Sequence, residues 1–140
     1  MAKVRITRAE EFSASHILYS QGLSEHENRK IFGKCANPNG HGHNYRIEVT
    51  LRGEPNSDTG MVFNLSDLKR IIREEIIDKV DHKNLNKDVD FLRGIVPTAE
   101  NLAVKFYEIL KAKIPENLLY EVKLIETPRN WAVYRGEVDD

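Results

Sequence analysis

The hydrophobic and polar positions change period along the chain. Tyr45, Ile47, Val49 and Leu51 alternate with Arg46, Glu48 and Thr50, the pattern of a strand with one buried face. Val4-Arg5-Ile6-Thr7 alternates in the same way and can run on toward Phe12. Asn56–Gly60 reads as a turn, after which Met61-Val62-Phe63 could pair as a short strand. The period then becomes helical: Leu65, Leu68, Ile72 and Ile76, with Ile71 beside them, predict a helix capped by Asn64 or Ser66. Thr98 caps a second helix whose apolar stripe is Ala99, Leu102, Ala103, Phe106, Ile109 and Leu110, and Pro115 stops the chain from continuing it. Tyr120–Glu126 and Asn130–Tyr134 predict two closing strands, joined by a turn at Pro128-Arg129.

Strands and helices are thus segregated rather than alternating. This order predicts an α+β fold, a four-stranded antiparallel sheet with two helices on one face. Such an open sheet leaves edges, which favours self-association. No linker or repeat divides the chain, so residues 1–140 read as a single domain.

Composition narrows the function classes. Hydrophobic residues make up 40% of the chain and the net charge is −1, so nothing suggests a nucleic-acid or anionic-membrane footprint. No apolar run is long enough to span a membrane, and the first residues lack a signal-peptide core. The lone Cys35 cannot form an intrachain disulfide, which fits a cytoplasmic protein.

The segment between His16 and Asn44 is long for a hairpin connection. Ser24-Glu25-His26-Glu27 fits a capping box for a short helix stopped by Gly33, with His26 on its surface. The turn-rich stretch Lys34–His43 follows, and long loops on rigid scaffolds concentrate function. His41 and His43, one residue apart, project from one strand face. A hairpin would bring His16 beside them, and three imidazoles with an open position form a catalytic zinc pattern. Gly40 and Gly42 would leave room for close ligand approach.

Cys35 admits three readings: a fourth zinc ligand closing a structural site, a buried inert thiol, or a base or nucleophile beside the metal. Asp81-His82 is either a carboxylate-oriented imidazole or a helix end suited to a histidine. Glu126 ends its strand before a turn, where it could grip a ligand's N–H pair or stand in solvent. Two rival functions remain: a non-catalytic zinc-binding module with Cys35 in the metal shell, and a metal-dependent hydrolase. The second lacks an evident carboxylate base beside the histidine pair.

Taken together these residues resemble the 6-pyruvoyl-tetrahydropterin synthase family over nearly the whole chain. The most specific stretch is Phe32-Gly33-Lys34-Cys35-Ala36-Asn37-Pro38-Asn39-Gly40-His41-Gly42-His43-Asn44-Tyr45. Phe12–His16, Gly60-Met61-Val62, Asp81–Leu85, Thr98–Asn101 and Ile125-Glu126-Thr127 match in order. The resemblance implies the tunnelling fold, assembled as two stacked trimers into a homohexamer with sites between subunits. It implies Zn2+ held by His16, His41 and His43, a base at Cys35 and a relay pair at Asp81 and His82. The pterin anchor falls at Glu126, with Thr98 and Ala99 at the substrate. Ala99 stands where many relatives carry a second hydroxyl. The implied reaction converts 7,8-dihydroneopterin triphosphate to 6-pyruvoyl-tetrahydropterin and triphosphate. Relatives that form 6-carboxy-tetrahydropterin for queuosine synthesis use the same substrate. The five residues between Cys35 and His41 match the pyruvoyl-forming type. Arg29, Lys30 and Lys34 are candidates for holding triphosphate.

Overall fold

A computed structural model describes residues 2–137; Met1 and residues 138–140, the ends of the 1–140 span, lie outside the described residues. Strand β1 (Val4–His16) leads through helix α1 (Glu25–Phe32) and a 3-10 turn (Gly33–Ala36) into β2 (His41–Gly53). Helix α2 starts as Leu65–Ile72, continues through a π-helical turn (Arg73–Ile77) and ends with an α turn (Asp78–Val80). A two-residue strand β3 (Lys83–Asn84), helix α3 (Ala99–Lys111), and strands β4 (Leu119–Thr127) and β5 (Asn130–Tyr134) complete the chain.

The four long strands pair antiparallel as expected, and β3 adds a fifth, parallel to β1, giving the order β3-β1-β2-β4-β5. The fold class is therefore α+β with a mixed sheet. Lys83-Asn84, read from sequence as loop, pairs with Ala14 and Ser15, a match too short to show periodicity. Met61–Phe63 forms no strand; Met61 instead closes the turn, its carbonyl accepting from Asn56 N–H at 2.9 Å.

One sheet face is apolar. Tyr45, Ile47, Val49 and Leu51 from β2, Phe12 and Ala14 from β1, and Val122 and Leu124 from β4 are buried against residues of α2 and α3. Burying each large side chain contributes roughly 1.5–3 kcal/mol. Phe12 stacks on its cross-strand partner Tyr45 with centroids 4.8 Å apart. Caps fix the helix starts: Asn64, not Ser66, caps α2, Thr98 caps α3, and Ser24 and Glu27 form a complete capping box on α1. The opposite face carries polar pairs such as Thr7–Thr50, whose hydroxyls lie 2.8 Å apart.

Candidate active site

The β1–β2 register decides the site. His16 pairs with His41 and Ala14 with His43, so all three imidazoles leave the apolar face at the same end of the sheet. Ring centroids lie 4.6, 5.2 and 5.0 Å apart for His16–His41, His16–His43 and His41–His43. One nitrogen from each ring lies within 4.8 Å of the other two. Cys35 is not among these clustered donors, so the structure offers an open set of three histidines rather than a closed site with a cysteine as fourth ligand.

His16 is fully buried and its Nδ1 lies 2.8 Å from the carbonyl oxygen of Pro97. That contact places the proton on Nδ1 and leaves the Nε2 lone pair facing His41 Nε2 at 3.0 Å. Burial, reinforced by the neighbouring His41 and His43 and opposed by the Pro97 bond, lowers the His16 pKa to about 4. Burial also lowers His43, against the pull of Glu126. Both shifts favour the neutral imidazole, the form that binds a metal. Tyr45, whose hydroxyl lies 3.3 Å from His16 Nδ1, is held protonated by burial. Neither Pro97 nor Tyr45 was legible as a site residue: a backbone carbonyl leaves no mark in sequence, and Tyr45 reads simply as core.

Gly40 and Gly42 are small for a different reason than ligand access. A Cβ on Gly40 (φ +73°) would meet the His16 carbonyl oxygen at 3.2 Å, and one on Gly42 the Ala14 carbonyl oxygen at 3.3 Å. The facing strand takes the space.

Glu126 falls on the same face, its Oε2 4.0 Å from His16 Nε2. The fold thus sets a carboxylate beside the histidines that no local sequence pattern showed. Thr98, Ala99, Glu126 and Arg129 line a cavity of about 500 Å³. Helix α3 delivers Thr98 and Ala99, and the β4–β5 turn delivers Arg129. Cys35 sits partly exposed in the 3-10 turn, and its carbonyl accepts from Leu18 N–H at 2.8 Å, two residues beyond His16.

The Asp81–His82 pair lies elsewhere. Asp81 Oδ1 accepts from Ser13 N–H at 2.9 Å and sits 3.0 Å from His82 Nδ1, while His82 N–H donates to the Ser13 carbonyl at 2.6 Å. Hydrogen bonding from Ser13, opposed by burial and aided by His82, holds the Asp81 carboxyl below its usual range. His82 adopts φ 61°, a left-handed conformation uncommon for a non-glycine residue. With Ser13, Ser15, Asn44 and Asn84 it lines a cavity of about 560 Å³. Ser13 and Ser15 alternate with the buried Ala14 and His16, so this cavity opens at the polar side of β1, and Gly42 and His43 also line it. His26 is exposed, as expected, and Arg29 pairs with Glu25 at 3.5 Å.

An α+β fold that presents three clustered imidazoles able to hold a metal ion, beside a carboxylate-lined cavity of small-molecule size, is the frame of an enzyme site. The family model for 6-pyruvoyl tetrahydropterin synthase matches residues 5–137, and the chain belongs to that family. It is similar to the 6-pyruvoyl tetrahydrobiopterin synthase of Homo sapiens, 50% identical over 96% of this chain and 93% of the relative. The Dictyostelium discoideum protein of the same name is 51% identical over 96% and 97%. The solved Caenorhabditis elegans 6-pyruvoyl tetrahydropterin synthase superposes with a TM-score of 0.93 at 46% identity, covering 98% of both chains. Among the described residues no helix is long and apolar enough to cross a membrane.

Proposed function

We propose that the chain is a zinc-dependent 6-pyruvoyl-tetrahydropterin synthase, a lyase that converts 7,8-dihydroneopterin triphosphate to 6-pyruvoyl-tetrahydropterin with release of triphosphate. The observation that carries this reading is the His16–His41–His43 cluster with Glu126 4.0 Å from His16. Three imidazoles would suit zinc, with a fourth position left for substrate. Zinc bound there supplies Lewis acidity toward the side-chain hydroxyls of the substrate.

The chain's own residues do the rest. Glu126 accepts the N–H pair of the pterin ring in two charge-assisted bonds, with Thr98 and Ala99 beside it. Cys35, as thiolate, takes a proton from the acidified side-chain carbon. His82, oriented by Asp81, moves protons within the site. The C–O bond to triphosphate breaks with its electron pair leaving on triphosphate, while electrons from the side-chain carbons reduce the ring, so no external reductant enters.

Within one subunit His82 lines a second cavity beside His43, and this reading assigns the Asp81–His82 pair of each site to a second copy. The sheet supports that assembly: β3 covers only Ala14 and Ser15 of β1, and β5 pairs only with β4. The 1–140 chain would act as one pterin synthase domain in a cytoplasmic homohexamer, a dimer of trimers. Mass spectrometry of the product formed from 7,8-dihydroneopterin triphosphate by the zinc-loaded protein tests the reading. A 6-pyruvoyl product is expected; no turnover, or a 6-carboxy product, overturns it.

A further inference from the structure

The cavity beside the histidine cluster holds two carboxylates, Glu100 and Glu126, and Arg129 is the one cation among its lining residues. Carboxylates alone would suit only half of the ring edge that the proposed function assigns to the cavity. The pterin edge presents two N–H donors and, adjacent to them, the C4 carbonyl acceptor. Glu126 matches the donors. A carbonyl desolvated without a donor costs free energy, and a charged donor is the strongest remedy.

Arg129 is placed to supply that donor. It stands three positions beyond Glu126, across the β4–β5 turn, so the two side chains enter the cavity's rim from one short segment. The segment is fixed: Thr127 Oγ1 accepts from both Arg129 N–H (3.2 Å) and Asn130 N–H (3.1 Å). Among the described residues no carboxylate lies within ion-pair distance of the Arg129 guanidinium, in contrast to Arg135, which is paired with Glu121 at 3.0 Å. Its N–H groups are free for a ligand.

We infer that Arg129 is a specificity-determining residue that donates to the C4 carbonyl of the bound pterin, completing with Glu126 a donor–donor–acceptor readout of the ring edge. This rests on the function proposed above. It adds a role for a side chain that is exposed and makes no fold contact that its loss would break, since the turn is held by backbone N–H groups.

Calorimetry on zinc-loaded protein tests it with two probes, 7,8-dihydroneopterin and its 4-thio analogue. The analogue keeps both N–H donors and replaces the acceptor oxygen with sulfur, a weaker acceptor. The parent chain is expected to bind the oxo form about tenfold more tightly, the scale of one charged hydrogen bond. R129A should lose about tenfold on the oxo form and bind the two probes equally, with R129Q intermediate and zinc content unchanged in both. Unchanged oxo affinity in R129A, or retained discrimination, overturns the role of Arg129 while leaving the proposed function standing. Failure of the parent chain to bind either probe overturns both.

Discussion

His16 and Pro97 are 81 positions apart, yet the imidazole Nδ1 of one lies 2.8 Å from the carbonyl of the other. The loop leading into α3 thereby fixes the tautomer of the most buried imidazole. It also sets Thr98, the next residue, at the cavity beside Glu126. One short segment thus couples the histidine cluster to the cavity that Glu126 lines. Partners of this kind hold metal-binding histidines in orientation, and their loss commonly weakens metal affinity about 10–100-fold.

Zinc should depend on the histidines and not on Cys35. His41→Ala and His43→Ala are expected to lose bound zinc, with activity falling at least about a hundredfold because metal stabilisation contributes several kcal/mol. Cys35→Ala should keep near-stoichiometric zinc while turnover falls roughly 10²–10⁴-fold, the scale of a lost general base. Metal analysis of the purified variants decides it; a zinc-free Cys35→Ala would move Cys35 into the metal shell.

Acid stability should report on Glu10. Its carboxylate meets Arg73 Nε at 2.6 Å and an Arg8 nitrogen at 3.3 Å. Burial raises its pKa, but the bonds from Arg73 and Arg8 outweigh that and hold it below 4.5. The unfolded chain therefore takes up the proton first, so the stabilisation is complete above 4.5 and is lost as pH falls through the folded value. Glu10→Gln is expected to cost about 1 kcal/mol near neutral pH. In urea melts repeated near about pH 3, the gap between variant and parent should shrink. A gap that persists there would contradict the assignment.

Much of this was legible in sequence, because the relevant signals are periodic or chemical. The Tyr45–Leu51 alternation located β2 and, extended backward, put His41 and His43 on the face of Tyr45. What was not legible depends on context. Ile76, four positions after Ile72, is fully buried as its spacing predicts, but the π-helical turn over Arg73–Ile77, which buries Ile77 as well, leaves no mark in the period. Leu65 fits the stripe by spacing but is 44% exposed at the helix start. Asp81-His82 reads like Glu126 as a polar feature near a site. Only the folded structure shows that they line different cavities, Glu126 one with Thr98 and His82 one with Ser13 and His43.

Glu126 should act on substrate and not on metal. Glu126→Gln keeps the shape of the side chain but sets an amide donor against the ring's N–H donors. Losing charge-assisted bonds should weaken pterin binding by about 10–100-fold. Zinc content and oligomeric state should hold. Titration calorimetry with 7,8-dihydroneopterin measures this, and unchanged affinity would remove Glu126 from the pterin pocket.

The placement of His82 gives a prediction about assembly. Cys35 lies in the turn tied to Leu18, which lines the cavity beside the histidine cluster, whereas His82 lines a cavity on the polar face of the same sheet. In the assembly proposed above, one site draws them from different copies. Closing the exposed sheet edges into a ring is the physical drive for that arrangement. Light scattering at assay concentration is expected to show a homohexamer. Cys35→Ala and His82→Ala should each be inactive alone. Unfolded, mixed and refolded together, they should regain part of the parent activity, because some mixed sites receive an intact Cys35 from one chain and an intact His82 from another. Mixing without subunit exchange should restore nothing, which separates true complementation from residual turnover. A fully active monomer, or refolded mixtures no more active than either variant, would place the whole catalytic set within one chain.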